Sequence, residues 1–397
     1  MGKTDTLFTP LRLPCGATLK NRIVKSAMSD SLGDGRGGAT PEQGRLYRRW
    51  ANGGLALAIV GEVQGQPGFA EKPGNLVLDD ASHMARFRDL AAAGSVNGAA
   101  LWLQLGHAGA LAYPPTSAPM GPSALTLPGL QCTTMPADMV RRLPEDFART
   151  ARLARQAGFG GVQVHAAHGF LLSQFLSPLF NRRDDAYGGP IERRMTPLLD
   201  TIAAVRAAVG PDFPVGVKLN SSDMLQGGLT EAQALRVVAA LDRTSVDLLD
   251  ISGGTYFPGA KSSGDSSGKG PYFIEFAARA RALTDTPIML TGGFKTRQQA
   301  VAAVAGGVVD AVGMARALVL DPDLPRHWQA GKNPNPAFPR FADAPEGGVT
   351  AWYTLQITDI GAGRPPGTWD SLADALTAYQ ARDTARAALW RDHFGAP

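Results

Sequence analysis

His165 and His168 stand three residues apart in His165-Ala166-Ala167-His168-Gly169-Phe170, directly after the apolar run Gly161-Val162-Gln163-Val164. Two imidazoles at the end of a buried strand can aim two hydrogen-bond donors at one substrate oxygen. Core histidines satisfied by carbonyls and a pair of metal ligands are the competing readings. Zinc would need a third ligand, and none of the other histidines, 6 in the chain in all, is near in sequence. Phe170 follows the pair with an aromatic ring that has no proton to give.

Other residues with chemical potential close apolar runs elsewhere. Gln104 carries an amide that donates and accepts at once, which suits the edge of a flat, electron-rich ring such as an isoalloxazine. Lys218, in Val217-Lys218-Leu219-Asn220, sets a cation where it would stabilise negative charge on a reduced flavin. A structural ion pair and a Schiff-base lysine of a flavin-free lyase are its alternatives. Thr291-Gly292-Gly293-Phe294 and Gly313-Met314-Ala315-Arg316 join glycines that admit backbone N–H groups to an arginine that pairs with phosphate. Tight turns alone would also explain the glycines. Ser26-Ala27-Met28-Ser29 offers small residues and backbone groups against which a cofactor face could lie.

These residues need a scaffold that gathers the ends of many strands. Short β-rich runs alternate with longer amphipathic ones: Arg22–Ala27, Leu55–Val60, Ala100–Leu105, Gly161–His165, Val215–Asn220, Leu248–Ser252, Ile288–Thr291 and Asp310–Gly313. Eight such units close into an α/β fold of the (β/α)8 TIM-barrel type. A doubly wound open sheet shares the alternation but concentrates chemistry at one switch point, whereas here it falls at many strand ends. Pro144-Glu145-Asp146 predicts the start of a helix over Phe147–Ala157; Thr230-Glu231 and Thr296 cap two more.

Residues 1–330 are expected to form the barrel and 331–397 a helical C-terminal extension, packed on the barrel or on a neighbouring subunit of a homo-oligomer. That tail, through Trp352, Tyr353 and Trp390, is expected to present aromatic surface. Ala108–Arg142, with six prolines, reads as an extended, lid-like loop after strand three, or as a passive surface excursion. Ser262–Lys269, rich in serine and glycine, is expected to close over a ligand.

Composition excludes several classes. The 39 basic and 35 acidic residues of this 397-residue chain are scattered without a like-charge run, which argues against nucleic-acid binding. Cys15 and Cys132 are the only cysteines, too few for an iron–sulfur cluster or a cysteine-rich zinc site. Met1-Gly2-Lys3-Thr4-Asp5-Thr6 has no apolar run behind its charge, and no charge-free segment is long enough to span a membrane. The expectation is a cytoplasmic enzyme with a small-molecule substrate and no metal.

Across about the first 325 residues the motifs resemble the Old Yellow Enzyme family of FMN-binding ene reductases. The likeness runs from Leu7-Phe8-Thr9-Pro10-Leu11 and Lys20-Asn21-Arg22-Ile23-Val24 through Gln104-Leu105-Gly106-His107-Ala108-Gly109. It is densest from His165 to Tyr187-Gly188-Gly189 and closes on Asp310-Ala311-Val312-Gly313-Met314-Ala315-Arg316. The resemblance implies that Ser26, Ala27, Met28, Ser29 and the Gly61-Glu62 backbone contact the FMN ring. Gln104 and Lys218 would take its pyrimidine edge, and Gly292, Gly293, Ala315 and Arg316 its phosphate. His165 and His168 would hold the oxygen of a substrate stacked on the ring. It further implies that NADH or NADPH reduces FMN, which then passes hydride to an activated C=C bond of an α,β-unsaturated carbonyl or nitro compound.

The departures are as informative. Phe170 occupies the place of the family's proton-donating tyrosine, which leaves nitro reduction or desaturation as alternative uses of the site. Tyr256, in Ser252-Gly253-Gly254-Thr255-Tyr256, is the candidate replacement donor. Ser29 and Ser31 stand where one bacterial branch has a flavin-tuning cysteine and a substrate-contacting tyrosine, and Glu62 replaces a small residue.

Overall fold

Eight runs of buried, largely aliphatic residues form parallel strands in the computed structural model, which describes residues 5–257, 270–341, 344–365, 367, 369 and 371–396. They are β1 (Ile23–Met28), β2 (Leu57–Gln64), β3 (Ala100–Gly106), β4 (Gly161–Ala166), β5 (Val215–Asn220), β6 (Leu248–Ser252), β7 (Ile288–Thr291) and β8 (Ala311–Met314). Their hydrogen-bonded order is β1-β8-β7-β6-β5-β4-β3-β2, and β1 pairs with β2 to close the ring. A closed (β/α)8 barrel is therefore the fold. Closure leaves each of these eight strands paired on both sides, and Leu76–Val77 adds a short strand beside the end of β2. Strands β5, β6 and β7 occupy the ranges expected from sequence, and the other five differ by one to four residues at an end.

Helices cover the barrel: α1 (Pro41–Asn52), α2 (Met84–Gly94), α3 (Ala137–Gln156), α4 (Thr196–Val209), α5 (Glu231–Leu241), α6 (Ile274–Arg281) and α7 (Arg297–Ala305). Thr230 and Thr296 cap α5 and α7 in reciprocal boxes with Gln233 and Gln299, as the sequence signals. The expected start of α3 is corrected: the helix begins at Ala137 and carries Pro144 inside it. Proline there removes one backbone bond, but Val140, Leu143, Phe147, Ala151 and Ala154 form one buried stripe that runs through it. Packing of that stripe outweighs the broken bond.

The proline-rich excursion after β3 is an ordered structure. Met120–Gly121, Leu125–Leu127 and Leu130–Thr134 make a small three-stranded sheet. Arg183 Nη1 anchors it by donating to the carbonyls of Pro122 (3.0 Å) and Met135 (2.7 Å). Cys15 and Cys132 are both free thiols. The Ser262–Lys269 segment lies outside the described residues.

The tail folds as α8 (Gly348–Ala362) and α9 (Leu372–Phe394). Sequence reading divides α9 into two stretches, around Ser371–Tyr379 and Ala385–Phe394; the structure joins them in one 23-residue helix. The expected aromatic exposure is also corrected. Tyr353 and Ile357 of α8 enter the main core, and Trp390 of α9 is 0% exposed against Ala70, Val77 and Phe394. The last helix thereby reaches across to the loop that follows β2. Among the described residues, no helix is long and apolar enough to cross a membrane.

Candidate active site

The carboxyl ends of the strands carry a buried polar chain. Strand register pairs His165 with Lys218 and Lys218 with Asp250, which sets the three at one level of the barrel. Gln104 Nε2 donates to Gln163 Oε1 (2.7 Å), and Gln163 Nε2 donates to Asp250 Oδ2 (3.1 Å). Thr291 Oγ1 donates to Asp250 Oδ1 (2.6 Å) and meets Ser26 Oγ at 2.9 Å. A network this deep is stable only if its members are satisfied. Lys218 is the exception: Nζ faces Asp250 Oδ2 at 3.1 Å, is 1% exposed, and makes no aligned hydrogen bond. The network brings together Gln104, Lys218 and Ser26 from the expected set. Asp250, Gln163 and Thr291 were missed, although a lone aspartate within Leu248–Ser252 is a legible signal.

Beside this network the ends of β7 and β8 form a cradle. Gly292 and Gly293 adopt φ of 119° and 84°, and a Cβ on Gly293 would lie 2.2 Å from the Gly270 carbonyl. A Cβ on Gly313 would lie 2.3 Å from both Ser26 Oγ and Thr291 Oγ1. The open pocket here, about 410 Å³, is lined by Gly292, Gly293, Lys295, Ala315 and Arg316 among others. Arg316 lies over the Tyr353 ring at 5.8 Å, so α8 helps to fix it. Backbone amides, a lysine and an arginine around glycines suit a phosphate.

Ala27 and Met28 end β1 half-buried, and Ser29 Oγ accepts from Asn75 Nδ2 at 3.4 Å. A Cβ on Gly61 would come within 2.6 Å of the Met28 carbonyl oxygen, so glycine permits β1 and β2 to approach at the mouth.

The two histidines are held differently. His165 is buried, and its Nδ1 accepts from the Ala167 N–H at 3.4 Å. That contact assigns the proton of a neutral ring to Nε2, the atom 3.2 Å from Glu62 Oε1. His168 adopts φ of 61°; its N–H donates to Asn220 Oδ1 (3.0 Å), and its Nε2 pairs with Ser252 Oγ (2.8 Å). Burial, then the charges of Lys218 and His165, hold its pKa well below the ordinary histidine value. His168 is therefore a neutral imidazole. The two rings meet edge to face with centroids 5.4 Å apart.

Phe170 packs 4.8 Å from the His165 ring and 5.9 Å from that of Tyr256. Tyr256 stands over His168 at 5.8 Å, its N–H donating to the His168 carbonyl (3.1 Å). Its side chain is 63% exposed to the mouth. The site thus unites His165, His168, Phe170 and Tyr256.

Glu62 is the main surprise. Sequence reading gives only its backbone a role, yet its side chain is buried against His165. It sits at φ of 58° where the β2–β3 register slips between Val60 and Val63. The mouth also includes Glu71, raised to about 7 by burial, then by Glu62. Lys72 lies over the rings of Tyr113 (4.9 Å) and Tyr379 (5.7 Å), and Arg386 donates to the Ser31 carbonyl, so α9 borders the opening.

Known proteins are similar to this chain in sequence and fold. A profile of the NADH:flavin oxidoreductase / NADH oxidase family matches residues 6–335. The chain is 35% identical over 353 residues to the NADH-dependent flavin oxidoreductase iliE of Neonectria sp. (strain DH2), covering 80% of this chain and 46% of that protein. With the protein of the same name from Hypocrea jecorina (strain QM6a) it shares 34% over 352 residues, 80% of this chain and 87% of the other. The solved old yellow enzyme homologue from Zymomonas mobilis is similar at a TM-score of 0.73 and 25% identity, over 88% of this chain and 98% of that one. The chain spans less than half the length of the Neonectria relative.

Proposed function

The chain belongs to the NADH:flavin oxidoreductase / NADH oxidase family, and on that premise we propose that it is an FMN-dependent reductase of the Old Yellow Enzyme type. In this reading it uses NADH or NADPH to saturate the activated C=C bond of an α,β-unsaturated carbonyl or nitro compound. The observation that carries it is Lys218: a buried ammonium with hydrogen-bonding capacity unused, beside Gln104 and next to a glycine cradle. Those groups fit the ring edge and the phosphate of FMN.

FMN, when bound, supplies hydride transfer from the nicotinamide to the alkene β-carbon. The chain's residues do the rest. Lys218 and Gln104 would bind the pyrimidine edge, with Ser26, Ala27, Met28, Ser29 and the Gly61-Glu62 backbone against the ring. Gly292, Gly293, Ala315 and Arg316 would hold the phosphate. Lys218, kept in place by Asp250, stabilises negative charge that develops beside it. His165 and His168 would grip the substrate oxygen, His165 through an Nε2–H shared with Glu62 Oε1; a neutral His168 donates a hydrogen bond without giving up a full charge. Donors placed where enolate-like charge appears favour the transition state over the ground state. Phe170 and Tyr256 would close the substrate in from the side opposite the barrel floor and exclude water.

Phe170 also favours a second use of the same site, nitro reduction or ketone desaturation: nitro reduction protonates oxygen instead of carbon, and desaturation takes the α-proton off carbon and so needs a base in place of the acid. Anaerobic incubation with a saturated ketone and an electron acceptor yields enone in that case. The first reading is tested by colour: a yellow protein that bleaches anaerobically with NADH or NADPH supports it. A colourless protein trapped by borohydride on Lys218 with a carbonyl compound would contradict it.

A further inference from the structure

We propose that Glu62 is the acid that protonates the substrate, doing the work that Phe170 cannot. The inference rests on the alkene-reducing function proposed above. In that reaction the β-carbon gains hydride, and the α-carbon must gain a proton as the C=C electron pair forms the new C–H bond. Glu62 would lose that proton from its carboxyl group and remain as a carboxylate facing the Nε2–H of His165.

Three observations converge on this residue. Its side chain is buried, with Oε1 3.2 Å from Nε2 of the histidine proposed to hold the substrate oxygen. Its backbone sits in the left-handed region at φ of 58°, a conformation that costs a non-glycine residue free energy and that aims the chain at a β-bulge. Room is reserved for the carboxyl group: a Cβ on Gly106 would lie 2.7 Å from Oε2.

Tyr256 is the rival donor. Its ring lies open to solvent, whereas the Glu62 carboxyl group is buried beside His165. Glu71, at about 7 and in electrostatic contact with both Glu62 and Tyr256, is suited to return the proton from the mouth.

The test compares Glu62→Gln, Glu62→Gln/Phe170→Tyr and Tyr256→Phe with the unmodified holoenzyme, using cyclohexenone and a quinone as acceptors. Glu62→Gln should slow reoxidation by the enone about 100-fold, the scale of general-acid catalysis, with reduction by NADH and turnover of the quinone within about threefold. Adding Phe170→Tyr should restore enone reduction at least tenfold, which a merely structural role for Glu62 would not allow. In flavin-free protein, Glu62→Gln should shift the ring-nitrogen NMR signals of His165 and leave those of His168 in place. Enone reoxidation unchanged in Glu62→Gln, or slowed more by Tyr256→Phe than by Glu62→Gln, overturns the proposal. Failure of the underlying function reads differently: the unmodified enzyme would then reduce the quinone and no enone.

Discussion

Lys218 Nζ stands 3.1 Å from Asp250 Oδ2, while Gln163 and Thr291 supply that carboxylate with its aligned hydrogen bonds. The ammonium is thus held by charge and keeps its N–H groups for another acceptor. Lys218→Met should weaken FMN binding at least tenfold, measured by flavin fluorescence titration. It should also cost about 3–5 kcal/mol of stability, because Asp250 is left buried without its counter-charge. Adding Asp250→Asn should recover much of the stability and none of the flavin affinity, which separates binding from folding.

Gly293 answers a different question, whether the cradle at the end of β7 holds a phosphate. Its φ of 84° and the Gly270 carbonyl, 2.2 Å from where a Cβ would sit, leave no space for alanine. Gly293→Ala should displace the 270–272 backbone and lower retention of FMN through desalting, with little loss of riboflavin binding. Equal loss of both would assign the effect to the ring site.

Lys25 ties stability to pH. It lies under the Trp50 ring at 4.6 Å and donates to the Ser26 carbonyl at 2.9 Å. Burial lowers its pKa from 10.5 to about 7, with Asp30 opposing the shift and Lys218 adding to it. Between those two values the unfolded chain holds a proton here that the folded chain does not, so unfolding free energy rises with pH across that window. The gain is on the order of 3–5 kcal/mol. Denaturant titrations at pH 7 and 9.5 should show Lys25→Met losing most of this slope; an unchanged slope would place the proton elsewhere.

Much of this architecture is written in local pattern. Strands such as Val215–Asn220 carry their own apolar signature, and Thr296 with Gln299 marks a helix start within four residues. His165, Lys218 and Arg316 are legible because each closes such a run. What escapes local pattern depends on distant partners. Pro144 reads as a helix start until the buried stripe from Val140 to Ala154 is seen to pass through it. Trp390 reads as exposed until α9 meets Ala70 and Val77, more than 300 residues earlier. Glu62 reads as a backbone contact because nothing near it in sequence shows that its carboxyl group reaches His165 on β4. The one available signal is a single charged residue within the otherwise uncharged Leu57–Gln64.

Hydride transfer through a bound flavin is the central claim, and one anaerobic stopped-flow sequence tests it. The holoenzyme is reduced with one equivalent of NADH or NADPH and then mixed with cyclohexenone. The yellow absorbance should bleach in the first step and return in the second with formation of cyclohexanone. Absorbance that bleaches but stays lost with every activated alkene, or protein that binds no flavin, would contradict the account.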